Sequence, residues 1–235
     1  MAIWTGTGRR FKRREYNRGA DTANARLPRL DSVPRHADSG PMQDWNDIRA
    51  WRKDTRKRLL AERQQLPPAE RERIGAAVRG RVMDILGGRL PQTLGVYWPI
   101  QGEMNFIPLA HAVLDAGGSV GLPVVVQKAA PVEFWRWRRG ERLVRGAWDI
   151  PVPKHRDVLA PELLIVPLVG FDAAGYRLGY GAGFYDRTLA AASPRPRTIA
   201  VGFSSAQLDT IHPQPHDIPM DVIVTEHGIV KGEAA

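Results

Sequence analysis

The 235-residue chain contains no cysteine, which excludes a disulfide framework, a thiolate metal site and a cysteine nucleophile, and agrees with a reducing compartment. No apolar run approaches the roughly 20 residues that a membrane-spanning helix needs. A secretory h-region and a GxxxxGKS or GxxxxGKT phosphate loop are also missing. Acidic residues are scarce relative to basic ones, 25 against 34, for a formal charge of +9. Such a surplus attracts polyanions, so its location decides what it implies.

Residues 1–41 hold nine cations and four anions, a net +5, with neither helical nor strand periodicity. The remaining 25 cations and 21 anions leave residues 42–235 at only +4. The chain is therefore read as a disordered basic extension (1–41), one folded domain (42–230) and a short terminal tail (231–235). Three readings of the extension stand open: an unstructured extension or upstream-start artefact, an Arg-rich transit segment, and an RNA-binding arm. Its four acidic residues count against the second.

From Trp45, apolar residues recur at three- and four-residue steps (Ile48, Trp51, Thr55, Leu59), predicting an amphipathic helix that stops at Pro67-Pro68. A second helix carries Ile74, Val78, Val82 and Ile85 and ends at Gly87-Gly88. Strand and helix patterns then alternate: strands over 93–98, 119–126, 132–137, 163–169, 198–203 and 222–225, and helices over 107–116 and 184–192. Continuous apolar runs such as Leu163–Val169 predict strands buried on both faces, and the alternation predicts an α/β fold with a mainly parallel sheet.

The segment Arg177-Leu-Gly-Tyr-Gly-Ala-Gly-Phe-Tyr-Asp186 follows one such strand and leads into a helix. Three alternate glycines (Gly179, Gly181, Gly183) let backbone N–H groups converge on an anion, and the helix start adds partial positive charge. Arg177 offers a bidentate donor to phosphate, and Asp186 a hard oxygen for nucleotide-bound Mg²⁺. The same glycines also suit a tightly packed turn. Phe184 stands where a dinucleotide fingerprint needs its third glycine.

That loop, with Leu164-Ile-Val-Pro-Leu-Val-Gly-Phe-Asp172 before it, resembles the signature of the 5-formyltetrahydrofolate cyclo-ligase family. So do the basic first helix, Tyr97-Trp-Pro-Ile-Gln-Gly-Glu103, and His216-Asp-Ile-Pro-Met-Asp-Val-Ile-Val-Thr-Glu226, in the same order over roughly residues 48–226. The resemblance implies a three-layer α/β/α sandwich of the sugar-isomerase and CoA-transferase type. It implies ATP-dependent closure of 5-formyltetrahydrofolate to 5,10-methenyltetrahydrofolate, with ATP as co-substrate and Mg²⁺ as metal, in a cytoplasmic monomer without nucleic-acid or membrane partners. A polyglutamylated substrate is compatible with this reading.

Residue by residue, the resemblance implies that Arg52, Lys53, Arg56, Arg177 and the stretch Gly179, Tyr180, Gly181, Ala182, Gly183, Phe184 and Tyr185 meet ATP, with Arg177 and Tyr185 taking part in the chemistry. It implies that Glu103 holds the pterin, that Tyr180–Phe184 also meets the folate, and that Asp186 and Asp217 bind the metal, with Asp221 as the alternative to Asp217. Trp98 and Phe134 are further candidates to stack on the flat substrate. Each has a plainer structural alternative: the first-helix cations as a solvated face, the aspartates as turn formers, Glu103 as a surface carboxylate and the aromatics as core. The sequence departs from the family's common pattern at Ala182, often Lys, and at Phe184, often Tyr. Trp135-Arg-Trp-Arg-Arg139 is either a basic strand along the folate's glutamate tail or an exposed edge. Two other functions remain open here: a catalytically silent nucleotide or folate binder, and an RNA-binding accessory protein.

Overall fold

The computed structural model describes residues 44–231. The extension expected over 1–41 lies outside the described residues, as do the last four. Helix α1 (Trp45–Gln65) starts at Asp44, whose side chain accepts from the Asn46 N–H at 3.2 Å, satisfying a donor that the helix start leaves unpaired. Leu66 leaves the helix because the following Pro67 disfavours helical geometry in the residue before it. Helix α2 (Pro68–Ile85) uses Pro68 where no N–H is needed, and ends before Gly87 and Gly88, both at positive φ.

The remaining elements are β1 (Thr93–Gly95), α3 (Ile107–Asp115), β2 (Ser119–Val124), β3 (Glu133–Trp137), β4 (Val144–Arg145), β5 (Pro151–Val152), β6 (Val158–Leu159), β7 (Leu163–Pro167), β8 (Gly170–Asp172), β9 (Arg177–Leu178), α4 (Phe184–Ala191), β10 (Arg197–Val201), β11 (Gln207–Leu208), β12 (Val222–Thr225) and β13 (Gly228–Lys231). Eight strands form one sheet in the order β13-β12-β10-β7-β1-β2-β3-β6. Its five central members are mutually parallel, while β13 and β3 run antiparallel to their inner neighbours. The chain builds outward from β1 to β2, then returns to add β7, β10 and β12 on the other side. The order therefore reverses between β1 and β7, and open α/β sheets bind ligands outside the carboxyl ends of strands at such a point.

The strands are apolar throughout because both faces are covered. Leu163, Ile165, Ile199 and Val201 pack with Val82 of α2 and Val113 of α3. Leu164, Val166 and Ala200 point the other way, into a cluster with Leu59 of α1 and Leu189 of α4. At Gly95 the sheet leaves no room for a side chain: a Cβ there would lie 2.4 Å from Leu164 Cδ2 and 2.9 Å from Phe134 Cε1.

The expected major elements are present, with shorter strands. The first strand ends at Gly95 rather than Trp98, because the chain turns there so that the buried Tyr97 hydroxyl donates to the Met104 carbonyl at 2.7 Å. Strand β7 stops at Pro167, which has no N–H to continue a ladder. Strand β13 continues through Lys231, one residue past the expected domain boundary. Five two-residue strands, the three-residue β8 and the four-residue β13 are additions to the sequence reading.

Candidate active site

Outside the carboxyl ends of β1, β7 and β10, a small cavity is lined by Arg63, Tyr97, Glu103, Leu168, Gly202 and Phe203. Arg63 reaches it from the last turn of α1. Its buried guanidinium donates to the Leu168 carbonyl at 3.2 Å and approaches the Tyr180 hydroxyl at 3.5 Å. Glu103 sits in the turn after Pro99, with one carboxylate oxygen accepting from the Ile100 N–H and the other from the Tyr180 O–H, both at 2.9 Å. Burial pushes the Glu103 carboxyl up to about 7, although the two hydrogen bonds and the Arg63 charge favour its ionised form. The carboxylate is therefore poised near neutrality in a pocket that Tyr180 closes from the loop side.

The glycine loop comes to this pocket because β9 returns the chain beside β8 and α4 carries it away again. Gly181 and Gly183 have φ of 101° and 64°, the region that favours glycine. Two guanidinium groups lie close against these glycines. Arg56 donates from Nε to the Gly179 carbonyl at 2.8 Å, and its Cζ lies 3.4 Å from where a Cβ of Gly181 would stand. Arg187 donates to the Ala182 carbonyl, and its Nη1 lies 3.2 Å from the Cβ position of Gly183. Burial and the neighbouring Arg52 charge lower the pKa of Arg56, partly offset by Asp217.

The remaining predicted cations and carboxylates are joined in pairs. Arg52 is buried, donating to the Ile211 carbonyl at 3.1 Å, to the His212 carbonyl at 2.9 Å and to Asp217 at 2.5 Å. Burial opposes ionisation of Asp217, but Arg52 and the Gln214 N–H outweigh it and hold this carboxyl below its ordinary value. Arg177 is equally buried, bonded to the Ile218 carbonyl at 3.0 Å and paired with Asp186 at 3.1 Å, with its guanidinium over the Tyr185 ring. Asp186 Oδ1 also accepts from the Ile218 N–H at 3.0 Å. The loop before β12 thus ties both predicted metal ligands to α1 and α4. Asp221 is committed elsewhere, accepting from the N–H and hydroxyl of Thr198 at 2.8 Å each, at the amino end of β10.

As a test of fit for Mg²⁺, Asp186 offers Oδ2, which receives no hydrogen bond among the described residues. Asp217 Oδ2 is taken by Arg52 and the Gln214 N–H, whereas its Oδ1 is met only by Arg52 at 3.4 Å. Among the described residues there is no group of three or more His, Cys, Asp or Glu suited to a metal. One or two carboxylates completed by phosphate oxygens and water is nonetheless the usual Mg²⁺ arrangement, so this donor set fits the ion alongside a nucleotide.

The structure brings Glu103, Tyr180, the glycine loop and Arg56 together. Lys53 faces outward on α1. Phe134 is a core residue on the α1 and α4 side of the sheet, and Trp98 packs edge-on to Trp137 at 6.4 Å. Two site residues escape the sequence reading. Arg63 was legible as a cation at helical spacing (52, 55, 59, 63) from buried positions. Arg187 had no such signal, since it looks like an ordinary helical cation. Two buried side-chain polar atoms lack a partner among the described residues, the Tyr185 hydroxyl and Arg187 Nε, and both lie in the first turn of α4. An unsatisfied buried donor costs about 1–3 kcal/mol, so each of these two atoms is a candidate contact for a ligand or a bound water.

Guanidinium groups on a glycine-rich backbone, placed beside the switch point of a parallel sheet, make an arrangement of the kind α/β enzymes use for phosphate. The model of the 5-formyltetrahydrofolate cyclo-ligase family matches residues 48–226. The 5-formyltetrahydrofolate cyclo-ligase of Mycolicibacterium smegmatis is 34% identical over 148 residues, spanning 59% of this chain and 76% of that protein. That of Escherichia coli K12 is 36% identical over 144 residues, 58% of this chain and 79% of the relative. The structure of Aquifex aeolicus 5,10-methenyltetrahydrofolate synthetase superposes with a TM-score of 0.66 at 29% identity, covering 76% of this chain and 91% of that one. The chain belongs to the 5-formyltetrahydrofolate cyclo-ligase family.

Proposed function

We propose that the chain closes 5-formyltetrahydrofolate to 5,10-methenyltetrahydrofolate at the expense of ATP, and that the pocket at Glu103 and the glycine loop are its two half-sites. The family supplies the reaction and implies ATP. The observation that carries the assignment of half-sites is the 2.9 Å hydrogen bond from Tyr180 to Glu103. It joins the loop suited to phosphate to the carboxylate suited to a pterin's amino and ring N–H donors, so both substrates meet across one crevice.

The chemical difficulty is an amide-like formyl group whose oxygen is a poor leaving group. Attack of the formyl oxygen on the γ-phosphorus releases ADP. N10 then adds to the activated carbon and loses its proton, and the C–O bond breaks with departure of phosphate. This chain's residues position the reactants and meet negative charge as it moves. Arg56 and the loop N–H groups face the phosphates, Glu103 orients the pterin, and the buried Tyr185 hydroxyl has a hydrogen-bonding capacity that substrate can satisfy. Arg177 acts through Asp186 and Tyr185. Asp186, joined by Asp217, would hold Mg²⁺, which when bound neutralises phosphate charge.

Apolar clusters on both sheet faces support the finer reading of the domain as a three-layer α/β/α sandwich of the sugar-isomerase and CoA-transferase type. Among the described residues no helix is long and apolar enough to cross a membrane, which accords with a cytoplasmic enzyme. The test is spectroscopic: the methenyl product absorbs in the near ultraviolet where the 5-formyl substrate does not. Purified protein should give an ATP- and Mg²⁺-dependent rise that Asp186→Ala abolishes. A flat trace for the unsubstituted chain overturns the assignment.

A further inference from the structure

The glycine loop carries no cation of its own, since its central side chain is Ala182. A loop that handles transferring phosphate needs positive charge close to the γ-position as well as backbone donors. Of the nearby candidates, Lys53 faces outward, and both Arg52 and Arg177 are consumed by buried bonds to carbonyls and carboxylates. Arg56 stands at one end of the loop, on the Gly179 carbonyl. The other end is held by Arg187.

Three features set Arg187 apart from a helical surface cation. Its guanidinium sits over the Phe184 ring, with Cζ 5.5 Å from the ring centroid. One nitrogen donates to the Ala182 carbonyl and another lies 3.2 Å from the Cβ position of Gly183, so the group is held close against the loop backbone. Its Nε is buried without a partner among the described residues. A planar fork with a donor unused, held against a phosphate-type loop at a helix start, matches bidentate recognition of phosphate oxygens.

We propose that Arg187 is the second cation of the nucleotide site, resting on the Ala182 carbonyl and transferring to a phosphate oxygen common to ATP and ADP when the nucleotide binds. The inference rests on the cyclo-ligase reading above. It predicts a division of labour in which Arg56 and Arg187 grip the phosphates from the two ends of the loop, while Glu103 and Tyr180 serve the folate. Phe184 acts as the platform that aims Arg187, so its replacement by an aliphatic residue should weaken nucleotide more than folate.

The experiment compares the full chain with Arg187→Gln, Arg187→Lys and Arg187→Gln/Ala182→Lys. Steady-state turnover is followed by the near-ultraviolet absorbance, ADP·Mg²⁺ affinity by calorimetry, and folding by thermal denaturation. Arg187→Gln should raise KM for ATP and Kd for ADP about tenfold or more, with KM for 5-formyltetrahydrofolate within twofold and melting temperature nearly unchanged. Arg187→Lys should fall between the two, because an ammonium supplies charge without the fork. A lysine at 182 should recover part of the ATP affinity. Unchanged ATP and ADP parameters in both single variants overturn the proposal, as does an equal loss for both substrates accompanied by a lowered melting temperature. If Arg187→Gln fails to fold, Arg187→Lys decides alone, and nucleotide affinity equal to that of the unsubstituted chain refutes the role. Absence of turnover in the unsubstituted chain overturns the cyclo-ligase reading itself, a result that the ADP calorimetry separates from a failure at Arg187.

Discussion

Replacing Glu103 by Gln should stabilise the protein at alkaline pH and leave it nearly unaffected in acid. Burial raises this carboxyl from its ordinary 4.5 to about 7, so the native state holds the proton more tightly than the unfolded chain does. Below about pH 4.5 both states are protonated and the group is neutral towards folding. Between 4.5 and 7 the unfolded chain ionises while the native state resists, and stability falls as pH rises. Above about 7 the penalty is complete, about 3 kcal/mol at about 1.4 kcal/mol for each tenfold change in proton affinity. Glutamine does not titrate, and at low pH it resembles the protonated acid in having one carbonyl acceptor and a donor. Urea unfolding of both proteins at pH 4.5, 6 and 8 should therefore give curves that separate steadily, reaching about 3 kcal/mol in favour of Glu103→Gln. That gap equals about 6–12 °C in melting temperature for a domain of this size. A difference that stays constant with pH would refute the reasoning, because it would mean that Glu103 is ionised without penalty in the folded protein.

On the reading that ionised Glu103 holds the pterin, KM for 5-formyltetrahydrofolate should rise about fivefold between pH 7 and pH 6. Tyr180→Phe, which removes a hydrogen bond favouring the charged form, should move that inflection upward; initial rates across pH check both. Arg52→Ala strands two buried carbonyls and Asp217 and should cost about 3–5 kcal/mol. A double-mutant cycle with Asp217→Asn in chemical denaturation should return a coupling above about 1 kcal/mol, whereas strictly additive losses would dissolve the pair. Gly95→Val forces a branched side chain between Leu164 and Phe134 and should destabilise by about 1–3 kcal/mol or more, measured by the same method.

What the sequence disclosed follows from how far each signal extends along the chain. The runs Leu163–Pro167 and Val222–Thr225 are almost wholly apolar without alternation, a pattern suited to strands covered on both faces, and they form a central strand and the strand one in from an edge. Two-residue strands such as β9 and β11 carry no period, because their pairing is set by neighbours distant in sequence. On α1 the predicted stripe was Trp45, Ile48, Trp51, Thr55 and Leu59. Thr55 and Leu59 are buried as expected, but Arg52 and Arg63 complete the buried face, and Trp45 and Trp51 meet His216 and His212 edge-on at its margin. The later half of the stripe was legible and the inward arginines were not, since carbonyls and a carboxylate from distant parts of the chain make arginine a suitable inward residue there. For the site, the glycine loop and Glu103 were visible as motifs. The pairing of Arg52 with Asp217, and of Arg177 with Asp186, required knowing that residues 211–218 pass between α1 and α4.

The bonds from Arg52 to Ile211, His212 and Asp217 also set an order of events during synthesis. Helix α1 is among the first structure to leave the ribosome, yet the groups that hold its inward guanidinium follow about 160 residues later. At about 5–20 residues per second that interval is roughly 8–30 s. Throughout it Arg52 lacks the groups that bury it, although Arg63 on the same face of α1 can meet the Leu168 carbonyl sooner. A nascent chain released before residue 217 would carry six of the eight strands of the main sheet, without β12 and β13, and no partner for Arg52.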